Sequence, residues 1–352
     1  MGALATRFAL IDALKAVASQ LIVLHHLAFY GPMSDLAQQL SPALMHWLSQ
    51  DARMAVQVFL VVGGFLAARS LAPAGVLVSS ASPWALLRSR YLKLVPPYAV
   101  ALVLGMACAA LARAWMTHDA TPAAPGVWQF VVHLLLLHDI LAVEALSAGV
   151  WYVAIDFQLF ALLIGVLWLA RRLGHGEAGL TSAVVVGAGL VALLAAASLL
   201  HFNRYPGWDV WALYFAGAYG LGVLAYWLSD PARSHGWLLA LTAGVVLALA
   251  LEFRTRIAVA LVVALLLAWG RRSQFLDTWL QSRVLAYLGQ ISYAVFLVNF
   301  PVALVVNAAF TRFAPAEPVW QMGGFLLAWA LANLAGAIFY RHVEVPARHW
   351  RI

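Results

Sequence analysis

Apolar runs of spanning length recur along the whole chain, near residues 8–30, 52–73, 94–115, 149–170, 178–200, 207–228, 236–252, 256–270, 284–310 and 318–340. About twenty apolar residues make a helix long enough to cross a hydrocarbon layer of about 30 Å. The pattern therefore predicts an all-α, polytopic membrane protein with about ten transmembrane helices. A further run, 127–141 (VWQFVVHLLLLHDIL), is shorter and carries His133, His138 and Asp139. Runs of that length read as interfacial or re-entrant segments. No repeat relates the two halves, and no linker is long enough to set off a soluble domain, so one membrane domain over residues 1–352 is expected.

The first run, RFALIDALKAVASQLIVLHHLAFY from Arg7 to Tyr30, is apolar overall but contains Asp12, Lys15, Ser19, Gln20, His25 and His26. At about 100° per residue, Lys15 and His26 fall within about 20° of one another on a helix. Ser19 lies near the same line, and Asp12 lies one turn below Lys15. The stripe runs about 16 Å along the axis. A charged group at mid-bilayer costs at least about 2.5 kcal/mol, so this stripe must face protein or water.

Composition agrees with the pattern. The 352 residues are 64% hydrophobic and 10% charged, too little polar surface to cover a soluble globule. The single cysteine, Cys108, excludes an intramolecular disulfide and a cysteine-rich metal site. The net charge of +7 is spread between apolar runs, where it sets membrane orientation and gives no nucleic-acid signal. No removable signal peptide is expected, because the first run is long, polar-striped and lacks a small-residue cleavage pattern.

Charge also orients the chain. If 127–141 does not cross, one side collects Arg7, Arg69, Arg88, Arg90, Lys93, Arg171, Arg172, Arg233, Arg271, Arg272, Arg283, Arg341, Arg348 and Arg351. The other side keeps Arg53, Arg113, Arg204, Arg254, Arg256 and Arg312. The positive-inside rule then gives ten spans with both termini cytoplasmic. His25 and His26 fall near the outer end of the first span, with Lys15 nearer the cytoplasm. Asp156 falls in the outer part of the fourth, where pairing with a histidine at similar depth would lower the cost of burying both.

Several motifs, in order, resemble the acyltransferase 3 family of integral membrane O-acyltransferases. In that family an Arg or Lys, ten residues and a His mark the first helix, matched here by Lys15 and His26. AVQVFLVVGGFLAARSL (55–71) is similar to its Phe- and Gly-rich second-helix motif, and RSRYLKLVPPY (88–98) to its basic stretch ending in Pro-Pro-Tyr. LLLLHDI (134–140) and VWYVAIDFQLF (150–160) resemble the region that carries the family's acid, here Asp156. LGQISYAVFLVNFP (288–301) and RHVEVP (341–346) match the last two motifs. There are departures: Lys15 replaces the commoner Arg, Gln57 and Gly63 stand where many members have Asp and Ser, Asp156 is one methylene shorter than Glu, and Asn299 occupies a position that is often His.

The resemblance implies acyl transfer, with acetyl-CoA as donor and a hydroxyl on an extracytoplasmic or lipid-linked glycan as acceptor, in a bacterial inner membrane. Such transfer needs a base for the hydroxyl proton and a donor for the developing oxyanion. His26 is the expected base or acyl relay, with Asp156 orienting its ring and Lys15 on the same stripe. Arg88, Arg90 and Lys93, with Lys15, are the expected phosphate-binding cations. Trp151, Gln158, Asn299 and Arg204 are candidate acceptor contacts. No metal site is expected, since His133 and His138 do not share a helical face. The blander alternatives are a packed, inert His26, a Lys15–Asp12 ion pair and a basic cluster that only sets orientation beside lipid. A transporter or flippase, or an inactive relative acting as an assembly partner, would also carry a buried polar stripe.

Overall fold

The computed structural model describes residues 8–78, 82–174 and 179–348. Every regular element among them is helical. The helices are α1 (Ala9–Phe29), α2 (Pro32–Ala37), α3 (Pro42–Gln50), α4 (Val56–Leu71), α5 (Pro83–Trp115), α6 (Val127–Leu134), α7 (Val150–Leu173), α8 (Gly179–Leu200), α9 (Ala212–Leu228), α10 (Gly236–Leu251), α11 (Thr255–Arg272), α12 (Arg283–Phe313) and α13 (Pro318–Phe339). Each predicted span corresponds to a helix. Arg7 and Arg351, counted above on the cytoplasmic side, lie outside the described residues.

Among the described residues, seven helices are long and apolar enough to cross a membrane: α1, α4 with the short turn before it, α5, α7, α8, α12 and α13. This makes the chain a multi-pass membrane protein. The apolar helices α9 and α10, with 17 and 16 residues, extend only about 24–26 Å. Helix α11 has 18 residues but carries Arg256, Arg271 and Arg272. Segment 127–141 does not form a span: α6 has eight residues, and the chain then leaves the helix through Leu136 and Ala142 at φ 59° and 51°.

The third span differs most from its expected boundary. The apolar run 94–115 starts two residues before Pro96-Pro97, but the helix begins at Pro83 and runs through both prolines. Ser82 caps that start, its Oγ accepting from the Ala85 N–H at 3.2 Å, and proline fits the first helical position. The two prolines take the helical donors from the carbonyls of Leu92 and Lys93. One residue further on, the Leu94 carbonyl accepts from Tyr293 Oη at 3.0 Å, tying α5 to α12.

Contacts divide the chain into two compact units. The first comprises residues 1–15, 56–90 and 155–286, and α9 is its buried centre. A helix apolar on all sides belongs inside, which suits the shortness of α9. Glycines allow α4 and α9 to meet backbone to backbone. A Cβ on Gly64 would fall 2.0 Å from the Tyr219 carbonyl oxygen, and one on Gly222 would fall 2.0 Å from that of Val61.

The second unit comprises residues 16–55, 91–154 and 287–352. Its core packs Val23 and Leu27 of α1 with Ile291, Val295 and Ala303 of α12 and Phe325, Ala328 and Ala332 of α13. Ala109 and Ala112 of α5 pack with Phe300, Leu304 and Ala308 of α12.

Candidate active site

The polar stripe of α1 is turned away from its exposed face. Ser19 and His26 are buried and Asp12 and Lys15 half-buried, while Val17 and Phe29 are exposed. Ser19 Oγ donates to the Ala16 carbonyl within the helix.

His26 is held from one side. Its Nδ1 lies 2.7 Å from Asn299 Oδ1. The Asn299 amide nitrogen reaches the carbonyls of Val295 at 3.1 Å and Phe296 at 2.6 Å. Those carbonyls can only accept, so the nitrogen faces them and the amide oxygen faces the ring. The oxygen in turn only accepts, so Nδ1 carries the proton. In the neutral ring the lone pair is then on Nε2.

The surroundings of this imidazole are aromatic and close. Tyr30 meets it edge-on with ring centroids 5.8 Å apart, and His25 lies at 5.5 Å. His25 is occupied elsewhere, its Nδ1 donating to the Leu48 carbonyl at 3.1 Å. Gly149, at φ +80°, brings the start of α7 against the ring. A Cβ there would lie 3.4 Å from His26 Cε1 and 3.0 Å from the Phe296 ring. Trp151 packs on Tyr152 at 6.0 Å, and Tyr152 on Phe296 at 5.6 Å.

Asp156 belongs to a polar group in the first unit. Its Oδ2 pairs with Arg90 Nη2 at 2.5 Å, and the Arg90 guanidinium lies 5.0 Å from the centre of the Phe160 ring. Tyr219 and Gly63 border the same carboxylate: a Cβ on Gly63 would fall 3.4 Å from the Tyr219 ring and 3.9 Å from Asp156 Oδ1. Thus the ring expected to lean on Asp156 leans on Asn299, and the acid takes a cation from α5.

The remaining candidates are spread out. Arg88 and Lys93 are exposed on α5, while Arg90 is half-buried. At about 100° per residue the three do not share one helical face. Gln158 Oε1 accepts from the Ala212 N–H at 3.0 Å, fixing the start of α9. Arg204 pairs with Glu252 at 2.5 Å on the surface.

His133 and His138 come together despite their spacing, because the turn after α6 folds one ring onto the other. The rings stack at 4.2 Å and 10°. His133 Nδ1 donates to the Gln129 carbonyl and its Nε2 accepts from the Leu146 N–H. His138 Nε2 lies 3.4 Å from Asp139 Oδ2, while its Nδ1 has no hydrogen-bond partner among the described residues. Burial lowers the pKa of both, and that of His138 falls to about 3, with His133 adding to the shift. Among the described residues, no three His, Cys, Asp or Glu side chains are grouped as metal ligands would be.

Reading residues in isolation missed Gly149 and Phe296 as neighbours of His26. Nothing in the local sequence marks Gly149 as a positive-φ position beside an imidazole. The signal for Asn299 was stronger: a polar amide within an apolar span, two residues before Pro301.

No protein of curated function and no solved structure matches the chain. A family comparison does match, to an acyltransferase domain over residues 8–340, nearly the whole chain. Lys15, His26, Asp156 and Asn299 all fall inside it, and the chain belongs to the acyltransferase 3 family.

Proposed function

We propose that this membrane acyltransferase moves an acetyl group from cytoplasmic acetyl-CoA to a hydroxyl of an extracytoplasmic or lipid-linked glycan. The observation that carries the reading is the anchored ring of His26, protonated at Nδ1 by its bond to Asn299 and basic at Nε2. In the reaction, Nε2 takes the proton of the acceptor hydroxyl as its oxygen attacks the thioester carbon. A carbon–oxygen bond forms, the carbon–sulfur bond breaks, and the leaving thiolate recovers the proton. Asn299 keeps the Nδ1 proton in place throughout, the orienting task first expected of Asp156.

The reading places the protein in a bacterial cytoplasmic membrane. With α9, α10 and α11 counted as crossings, ten spans return both termini to the cytoplasm, in keeping with the positive-inside rule. His26 then lies toward the outer end of α1, and Lys15 about 16 Å nearer the cytoplasm. Lys15, Arg88 and Lys93 attract the phosphates of the donor, while the Asp156–Arg90 pair fixes a fourth cation, between Arg88 and Lys93 in sequence. On the acceptor side, Trp151 connects through Tyr152 and Phe296 to the surroundings of His26. Gln158 and Arg204 are engaged with Ala212 and Glu252.

The test is label transfer from radiolabelled acetyl-CoA to glycan extracted from the cell envelope, using purified protein. His26→Ala should lower transfer by about 10²–10⁴-fold. Wild-type transfer by that variant would remove the base assignment, and glycan movement across vesicles without labelling would make the protein a carrier. In the same assay Arg88→Gln with Lys93→Gln should raise KM for acetyl-CoA and leave kcat in place. An unchanged KM would contradict their phosphate role.

A further inference from the structure

Among the described residues, Tyr98 is the largest side chain with no exposed surface. Its hydroxyl is buried without a hydrogen-bond partner among the described residues. Buried hydroxyls are ordinarily bonded, because an unmet one costs free energy that a phenylalanine would not. A buried hydroxyl of this kind calls for an explanation, a catalytic role being one.

Tyr98 also lines a small recessed cavity with Ala101, Leu102, Ser147, Val150, Phe296 and Leu297. The space admits about one water-sized group, which is also the size of a methyl. The cavity adjoins the surroundings of His26. Phe296 is one of its walls, and the same ring packs on Gly149, the residue that brings α7 against His26 Cε1. Val150 follows directly in the chain. All of these residues lie in the second unit.

Resting on His26 as the base, we propose that this cavity receives the methyl of the donor's acetyl group and that Tyr98 donates its hydroxyl proton in a hydrogen bond to the reacting carbonyl. As the acceptor oxygen adds, the carbonyl oxygen becomes an oxyanion and the Tyr98 bond strengthens. When the carbon–sulfur bond breaks, the carbonyl re-forms and the phenol keeps its proton. A donor positioned where charge develops, in a site closed to water, stabilises the transition state more than the ground state. The apolar walls of Ala101, Leu102, Val150 and Leu297 leave room for a methyl and exclude longer chains. Tyr98 is thus both a catalytic residue and part of the acyl-length filter.

Two variants test this in the assay with labelled acetyl-CoA and extracted envelope glycan. Tyr98→Phe should lower kcat about 100-fold. KM for acetyl-CoA should barely move, and Tm should equal or exceed that of the wild type. Leu102→Ala should raise kcat/KM for butyryl-CoA relative to acetyl-CoA about tenfold, with Val150→Ala substituting if Leu102→Ala does not fold. The proposal is overturned if Tyr98→Phe keeps half the wild-type kcat or melts lower, or if the butyryl-to-acetyl ratio does not change. His26→Ala separates the two levels. If it is inactive while Tyr98→Phe is fully active, only the Tyr98 assignment fails; if it too is active, the base assignment fails with it.

Discussion

Helix α12 carries two buried asparagines eight residues apart, Asn299 and Asn307, and they use the same local device. Each points its amide nitrogen back at a carbonyl one turn earlier, Val295 for Asn299 and Ala303 for Asn307. This leaves each amide oxygen facing α1 or the turn that follows it. At Asn307 that oxygen accepts the Met33 backbone N–H at 3.1 Å, and the nitrogen also reaches the Tyr30 carbonyl. Gly31 sits against it at φ +119°, where a Cβ would fall 2.5 Å from Oδ1. Asn307 therefore completes the backbone bonding where α1 ends and α2 begins. At Asn299 the oxygen meets an imidazole instead. A backbone amide has one way to bond, whereas an imidazole has two tautomers, so the same carboxamide becomes a selector of tautomer.

The comparison breaks first at Asn307. Asn307→Ala leaves the Met33 N–H without its partner, so stability should fall by about 2 kcal/mol, read as a lower denaturation midpoint in detergent. Transfer per folded molecule should stay at the wild-type level. A large loss of activity with unchanged stability would make the two asparagines functionally alike and erase the contrast.

A smaller effect comes from His138, a buried polar side chain whose Nδ1, unlike either asparagine amide, has no hydrogen-bond partner among the described residues. Burial, with His133 beside it, holds its folded pKa at about 3. The unfolded histidine titrates near 6.5. Below that pH the unfolded chain binds the proton and the folded chain does not. This contribution to stability is therefore intact above about pH 6.5 and declines as pH falls toward 3. Tm measured between pH 8 and 4 should fall on the acid side, and His138→Phe should flatten the slope. Identical slopes would show that His138 is not the titrating group.

Hydropathy located the helices because burial in lipid selects residue type position by position. It left their neighbours open, because it gives depth along an axis and nothing about azimuth. Asp156 and His26 were paired on depth alone. Asp156 instead meets Arg90, which lies ahead of the apolar run 94–115. Since α5 starts at Pro83, Arg90 is already two turns inside it. The Ser82-Pro83 pair, a cap followed by a proline at the first helical position, is the sequence signal for that start. The His133–His138 stack was illegible for a related reason. Helical spacing set the two rings apart, but α6 stops at Leu134 and a positive-φ turn at Leu136 brings them together. The α1 stripe was legible because one helix fixes its own geometry, and the Lys15–His26 spacing needed no partner to be read.

The central claim is that Asn299 sets the tautomer of a basic His26. It is tested most directly by kcat for acetyl transfer in Asn299→Leu, with Tm measured on the same preparation. The account predicts a kcat lower by about 10²-fold in protein that still melts within a few degrees of the wild type. A folded Asn299→Leu with wild-type kcat would contradict it.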